Sequence, residues 1–297
     1  MKKRLVICLE GGGMSGVFGG GVLATFQELN LYSHIEAIYA SSAGAVNASY
    51  FLTQQVSLGS SIYFEALTKG FLSRKNFLLG LGRYFSRHFI SPRKGSPVIN
   101  TMDVDYLIEV IQKRKVLDID KLKQQAIPFY VNVLNLSSGE TEYLLMQENN
   151  PWKLLRAAIC MAPYTFEKTK IRGQNYLDGT IKEPIGLDYL RKKYPGHKIV
   201  IVSNRRAAIN WCHYLKGFLE GRVADWMYGP SLAHLYMARV SKMKRDLAQA
   251  EKDPKILLIK IPSKDSTRPR TTNRKTLERT YQLGKEEGRG ILDFLAS

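Results

Sequence analysis

Twice in the first fifty-four residues a short apolar run stops at a knot of small residues and hands over to a helical spacing. Leu5 to Leu9 ends at Glu10 and the glycines Gly11, Gly12 and Gly13, and Val17 to Leu29 then carries apolar residues at helical intervals. Ile35 to Ala40 ends at Ser41-Ser42-Ala43-Gly44, and Ala43 to Gln54 resumes the helical pattern. Apolar runs this short, bounded by glycine or serine, read as buried strands. Strand, helix, strand, helix in so little chain requires parallel strands joined by crossover helices. The expected fold class is therefore α/β, with a mainly parallel central sheet between helical layers. Parallel strands point the same way, so both small-residue knots fall at one edge of that sheet.

The rest of the chain extends the same pattern. Ile127 to Leu134 and Glu142 to Leu145 read as strands around the turn Ser137-Ser138-Gly139. Pro151 to Cys160 reads as a helix with proline at its start. Thr169 to Leu177 reads as a hairpin turning at Gly173 and ending in Asp178-Gly179-Thr180, and Ile199 to Val202 and Ile256 to Ile261 as later strands. Trp211 to Ala250 is helical with a break at Gly229-Pro230, and residues 263–297 form a basic helical region. Neither a repeat nor a linker divides the chain, so residues 1–297 are expected to form one domain. Ser57 to Pro97 differs in composition: it mixes Phe, Leu and Tyr with Lys69, Arg74, Lys75, Arg83, Arg87, Arg93 and Lys94. It reads as a basic-aromatic insertion, a lid or membrane-facing segment over the site.

A formal charge of +18 implies an anionic partner. No nucleic-acid-binding motif accompanies it. Basic residues interleaved with aromatics, here and at Trp211, Tyr214, Phe218, Trp226 and Tyr228, suit an anionic bilayer, where charges reach phosphates while apolar groups enter the interface. No window approaches the roughly 18 to 20 apolar residues of a membrane span. The first apolar run is too short for the core of a signal peptide. Cys8, Cys160 and Cys212 lie far apart among apolar residues, with no metal-binding spacing, and read as buried free thiols in a reducing compartment. The expected setting is the cytoplasm, with peripheral docking on a membrane.

Gly11-Gly12-Gly13-Met14-Ser15-Gly16 is a G-x-G-x-x-G between a strand and a helix. Such a loop serves as a tight turn, a dinucleotide cradle or an oxyanion hole. A dinucleotide site needs an acid at the carboxyl end of the second strand. Glu36 stands at the start of that strand, and Ser41-Ser42 occupies its end. Ala40-Ser41-Ser42-Ala43-Gly44 has the small residues two before and two after a serine that a strained strand-to-helix turn demands. The following helix aims its N-terminus at the hydroxyl. A serine nucleophile needs a base, and none of His34, His88, His197, His213 and His234 stands in a catalytic context. Asp178, ending an apolar strand before glycine, is the better candidate; burial beside Ser42 would raise its pKa into a useful range.

In this order the glycine loop, the serine elbow and the strand-ending Asp-Gly resemble the patatin-like phospholipase family. EGGGMSG with GGGVLATFQEL is similar to that family's opening strand, loop and helix; YLDGTIKEPI is similar to its aspartate segment and IVIVSNR to the strand after it. The resemblance implies a three-layer α/β/α fold and a Ser–Asp dyad hydrolase acting on acyl esters of lipids, phospholipids among them, without metal or organic cofactor. Ser42 would be the nucleophile, Asp178 the base, and Gly11, Gly12 and Gly13 the oxyanion donors. Three positions depart from the family's pattern: Ala40 for Gly, Thr180 for Gly or Ala, and Ser15 for a cation. They motivate a rival reading, a catalytically degenerate scaffold that binds anionic membranes. A second rival is an α/β-hydrolase triad of Ser42, Asp178 and His197.

Overall fold

Leu5, Ile7 and Leu9 face one hydrophobic core, and Val6 and Cys8 face another. A strand buried on both sides belongs inside a sheet covered by helices on both faces. The computed structural model describes residues 5–73, 101–165, 167–206, 211–229, 232–262, 265 and 267–297. Its sheet comprises β1 (Leu5–Leu9), β2 (Ile35–Ala40), β3 (Phe129–Asn135), β4 (Thr141–Leu145), β5 (Thr169–Ile171), β6 (Gln174–Asp178), β7 (Lys198–Ser203) and β8 (Ile256–Lys260). The order is β5-β6-β3-β2-β1-β7-β8, with β4 also on β3. Strands β8, β7, β1, β2 and β3 run parallel, while β4 and β6 pair antiparallel with β3 and β5 with β6. The expected hairpin turns at Arg172-Gly173, both at positive φ (47° and 85°), as a two-residue turn that follows strand twist requires.

The larger core lies under α1 (Val17–Glu28), α2 (Ala43–Leu52), α3 (Val56–Ser61), α4 (Val104–Glu109), α5 (Ile119–Lys123) and α6 (Pro151–Ile159). On the other face a smaller core packs beneath α7 (Leu187–Lys193). Helices α8 (Trp211–Tyr228) and α9 (Ala233–Ala250) pack together, and α9 reaches from the first core at Leu235 and Tyr236 to the second at Leu247 and Ala250. The chain closes with α10 (Arg274–Gly288) and α11 (Ile291–Ala296). Among the described residues no helix is long and apolar enough to cross a membrane.

The segment from Ser57 is not, at its start, a surface insertion. After α3 it continues through a π-helical turn, Ile62–Ala66, and Ile62, Tyr63, Leu67 and Phe71 are buried in the larger core. Residues 74–97, with His88 and every basic residue named above except Lys69, lie outside the described residues.

The C-terminal helices are built into the fold. Helix α10 crosses α1 backbone to backbone: a Cβ on Gly284 would strike the Phe18 carbonyl oxygen and stand 3.1 Å from the Gly21 Cα. Thr25 Oγ1 donates to the Lys285 carbonyl at 2.7 Å across the same contact. Packing this close excludes any side chain at the crossing. Gly284→Leu is expected to lower stability by about 3 kcal/mol, read as a lower urea midpoint at unchanged slope. An unchanged midpoint would mean that α10 is only loosely attached.

Candidate active site

The elbow forms because small residues let helix α2 start hard against β1. Ser41 N–H donates to the Leu9 carbonyl at 3.2 Å, and a Cβ on Gly44 would collide with that oxygen and lie 2.9 Å from the Glu10 carbonyl oxygen. Ser42, between strand and helix, adopts φ 50° and ψ −129°, a conformation costing a non-glycine residue on the order of 1–3 kcal/mol. It stands at the N-cap position of α2, yet its side chain caps nothing. The strain therefore does not serve the helix; it presents the hydroxyl, half-buried, at the carboxyl edge of the sheet.

The glycine loop adjoins it. A Cβ on Gly11 would lie 2.7 Å from Ser42 Cβ and 3.4 Å from its Oγ, so only glycine fits beside the serine. Gly13 has φ 54°. Among the described residues the amides of Gly11, Gly12 and Gly13 donate to no protein acceptor, while the flanking amides of Glu10, Met14 and Ser15 are bonded to Val202, Pro269 and Gly12 carbonyls. Three consecutive unpaired N–H groups next to a serine hydroxyl can receive a developing oxyanion.

Strand β3 brings in the carboxylate. Val131 pairs with Ala40 on one edge and Leu144 on the other; Val133 pairs with Asp178 on one edge and Glu142 on the other. Strand β4 thus fills one edge, and β2 and β6 share the other, running toward each other and stopping about 7 Å apart. The Ser41-Ser42 turn and Asp178 meet in that gap. Asp178 is fully buried. Its Oδ1 accepts from Thr180 N–H at 2.9 Å and Thr180 Oγ1 at 2.8 Å. Its Oδ2 has no partner in ordinary hydrogen-bond geometry among the described residues, although the Ser42 hydroxyl is near enough to favour the charged form. Burial lifts the Asp178 pKa to about 6, opposed by the Thr180 amide and hydroxyl, the Ser42 hydroxyl and the Arg239 charge. Gly179 is needed because a side chain there would overlap Asn132, whose Nδ2 holds the Glu183 carbonyl at 2.6 Å.

Several supporting residues carry no motif. Asn204 follows β7, the other neighbour of β1, and reaches the same edge of the sheet. Its Nδ2 donates to the Glu10 carbonyl at 2.6 Å, its Oδ1 accepts from Gly19 N–H at 2.9 Å and its carbonyl accepts from Ser15 Oγ at 2.9 Å. The glycine loop is thereby pinned to strand and helix at once. Glu10, fully buried below the loop, is paired with Arg205 and accepts from Ser203 Oγ at 2.6 Å. Arg239 on α9 is buried, with Nη2 3.1 Å from Glu220 on α8. Parallel pairing with β1 offered a topological signal for Asn204; nothing local marked Arg239.

The sheet separates the remaining candidates from this edge. Glu36 and His34 lie at the start of β2, and His197 immediately precedes β7, whose Lys198 is level with Leu5. His197 is thus at the opposite edge, roughly 15–20 Å from the elbow along the strands. Cys8 and Cys160 are buried as expected, but Cys212 is exposed on α8, where the neighbouring apolar residues face outward rather than into a core. Among the described residues no cluster of histidine, cysteine or carboxylate side chains could hold a metal ion.

Residues 7–191 match the family model described as patatin-like phospholipase, a span covering most of the chain and including loop, elbow and aspartate. The chain belongs to the patatin-like phospholipase family. It is 25% identical over 298 residues to the uncharacterized protein YjjU of Escherichia coli K12, covering 97% of this chain and 77% of that protein. The crystal structure of VipD from Legionella pneumophila shares the fold with a TM-score of 0.50 at 14% identity, over 98% of this chain and 67% of that one.

The departures from the family's pattern acquire places in this site. Thr180 does not push Asp178 away: its hydroxyl and amide grip one carboxylate oxygen. Ser15 is buried, and its hydroxyl lies 2.7 Å from the Gly12 carbonyl and 2.9 Å from that of Asn204, so it braces the loop from behind. Ala40 is a buried β2 residue paired with Leu9.

Proposed function

We propose that this patatin-like protein is a serine acyl hydrolase that cleaves acyl esters of lipids, of phospholipase A or lysophospholipase type. Ser42 is the nucleophile, Asp178 the general base, and the Gly11, Gly12 and Gly13 amides the oxyanion donors. The single observation that carries this reading is the strained Ser42, held between a buried carboxylate and three amides that donate to no acceptor among the described residues. Asp178 accepts the Ser42 proton as Oγ attacks the ester carbon, and the carbonyl oxygen takes its charge against the amides. Collapse returns the proton to the departing alcohol and leaves an acyl-serine. Water deprotonated by Asp178 then releases the fatty acid and restores the hydroxyl. The raised pKa suits this work, since a carboxylate near 6 is a better base than one near 4 and is still ionised at neutral pH.

The test is hydrolysis of a short-chain nitrophenyl ester and of phospholipid vesicles by wild type, Ser42→Ala and His197→Ala. Ser42→Ala is expected to lose roughly a thousandfold or more in kcat/KM, with His197→Ala close to wild type. Equal rates in wild type and Ser42→Ala, or none in either, would favour the non-catalytic membrane scaffold. A collapse in His197→Ala alone would overturn the dyad.

A further inference from the structure

Helix α8 turns its apolar side outward. Trp211, Leu215, Phe218 and Leu219 are 71%, 48%, 48% and 56% exposed. At 100° per residue they fall within an arc of about 100°, with Arg222 inside the same arc. The opposite side of the helix is buried and made of small residues: a Cβ on Gly217 would lie 3.0 Å from the Tyr236 carbonyl oxygen, and one on Gly221 would lie 2.7 Å from the Ala233 Cα. The helix is therefore seated against α9 by its glycine face, with its large apolar side chains turned outward.

The charges on α8 are sorted as well. Its two acidic residues are engaged: Glu220 is buried against Arg239, and Asp225 Oδ1 caps the start of α9 by accepting the Leu232 and Ala233 amides at 2.7 and 2.8 Å. Of its lysine and arginine residues, Lys216 is exposed but pairs with Glu220 at 3.3 Å, and Arg222 is exposed inside the apolar arc. The outer surface thus combines a wide apolar band with cations. That is the composition of a helix lying in the interface of an anionic bilayer. A second copy of this chain fits poorly, since it would bring like charges together on two chains of +18 each.

The helix is also coupled to the site. Glu220 holds Arg239, whose charge acts on Asp178. Tyr228, at the end of α8, donates to the Glu167 carbonyl at 2.9 Å, and Tyr236 on α9 is bonded to the Ala162 carbonyl. Both anchor points lie in the segment between α6 and β5, and the Cys160 carbonyl just before it holds the Asp178 amide at 2.8 Å.

We infer that the outer face of α8 is a docking surface for anionic lipid bilayers, placing the catalytic edge at the membrane. Its choice of partner rests on the lipid-hydrolase reading, but its test does not require turnover. Full-length Ser42→Ala protein, with the surface intact, is mixed with vesicles of phosphatidylcholine containing phosphatidylglycerol and with vesicles of phosphatidylcholine alone, and bound fractions are read by flotation. The same is done with Trp211→Ser, Phe218→Ser and Leu219→Ser combined. Binding to the anionic vesicles is expected to exceed binding to the neutral ones, to weaken with salt, and to fall roughly tenfold or more in the triple variant. Circular dichroism and a cooperative thermal unfolding transition of the triple variant establish that it is folded. Failure to float overturns the inference, as does a folded triple variant that binds as well as its parent. Light scattering covers the other occupant: a dimer dissolved by the same substitutions, without vesicle binding, would assign the face to a second copy.

Discussion

Asp178→Asn is expected to lose about three orders of magnitude in ester hydrolysis and, above pH 6, to unfold at a higher temperature than wild type. Both effects have one origin. The carboxyl is fully buried, and burial raises its pKa from 3.8 to about 6 in the folded protein. Between those values the native state binds the proton more tightly than the unfolded chain does. Stability contributed by this group is complete below about pH 4 and is lost as pH rises through about 6. At pH 8 the ionised carboxylate costs on the order of 3 kcal/mol relative to its neutral form. Asparagine carries no charge, and its side-chain oxygen can keep both bonds from Thr180. The difference in thermal midpoint, variant minus wild type, should therefore grow from pH 5 to pH 8. In wild type, kcat/KM should rise with pH and level off above about 6, as the base loses its proton. A midpoint difference that is flat with pH would mean that Asp178 is not held in a costly charged state. An activity profile with no acidic limb would remove it as the base.

A carboxylate buried at the expense of stability is a choice the sequence discloses only partly. The elbow was legible because its requirement is local: a serine at φ 50° needs small residues within two positions on either side, and Ala40, Ala43 and Gly44 supply them. Asp178 was legible as the end of a strand before glycine. Its partner Thr180, two residues on, stood out only as a departure from the family's pattern, because chain proximity does not say which way a hydroxyl turns. Arg239 was invisible because it reaches the site through packing of an element far along the chain, and Asn204 was signalled only by the pairing of the strand before it with β1. The order Ser42, Asp178, His197 allowed a triad on paper. Strand direction excludes it, since a residue that stands just before β7 cannot reach the edge where β2 ends. Composition cannot choose among aromatic surfaces for a related reason: aromatic content alone does not separate Tyr63, which is buried, from Trp211, which is not.

Gly44→Ala should test whether the elbow depends on contact rather than on helix formation. Alanine is the better helix former by about 1 kcal/mol, so propensity alone predicts a gain. The structure predicts a loss, because the new methyl would collide with the Leu9 carbonyl oxygen and crowd that of Glu10. These atoms belong to the end of β1 that carries the glycine loop, and they cannot yield without moving Gly11. Helix α2 must instead lift, taking Ser42 with it. The expected cost is about 2 kcal/mol in stability, and a displacement near 1 Å should lower kcat by about a hundredfold. Gly173→Ala is the matched control. At φ 85° it is strained by the substitution, but nothing lies within 4 Å of the added Cβ, so stability should fall modestly and turnover should not change. If Gly44→Ala leaves kcat unaltered, the close approach of α2 to β1 does not set the position of the nucleophile. If both variants lose turnover alike, the loss reports general destabilisation instead.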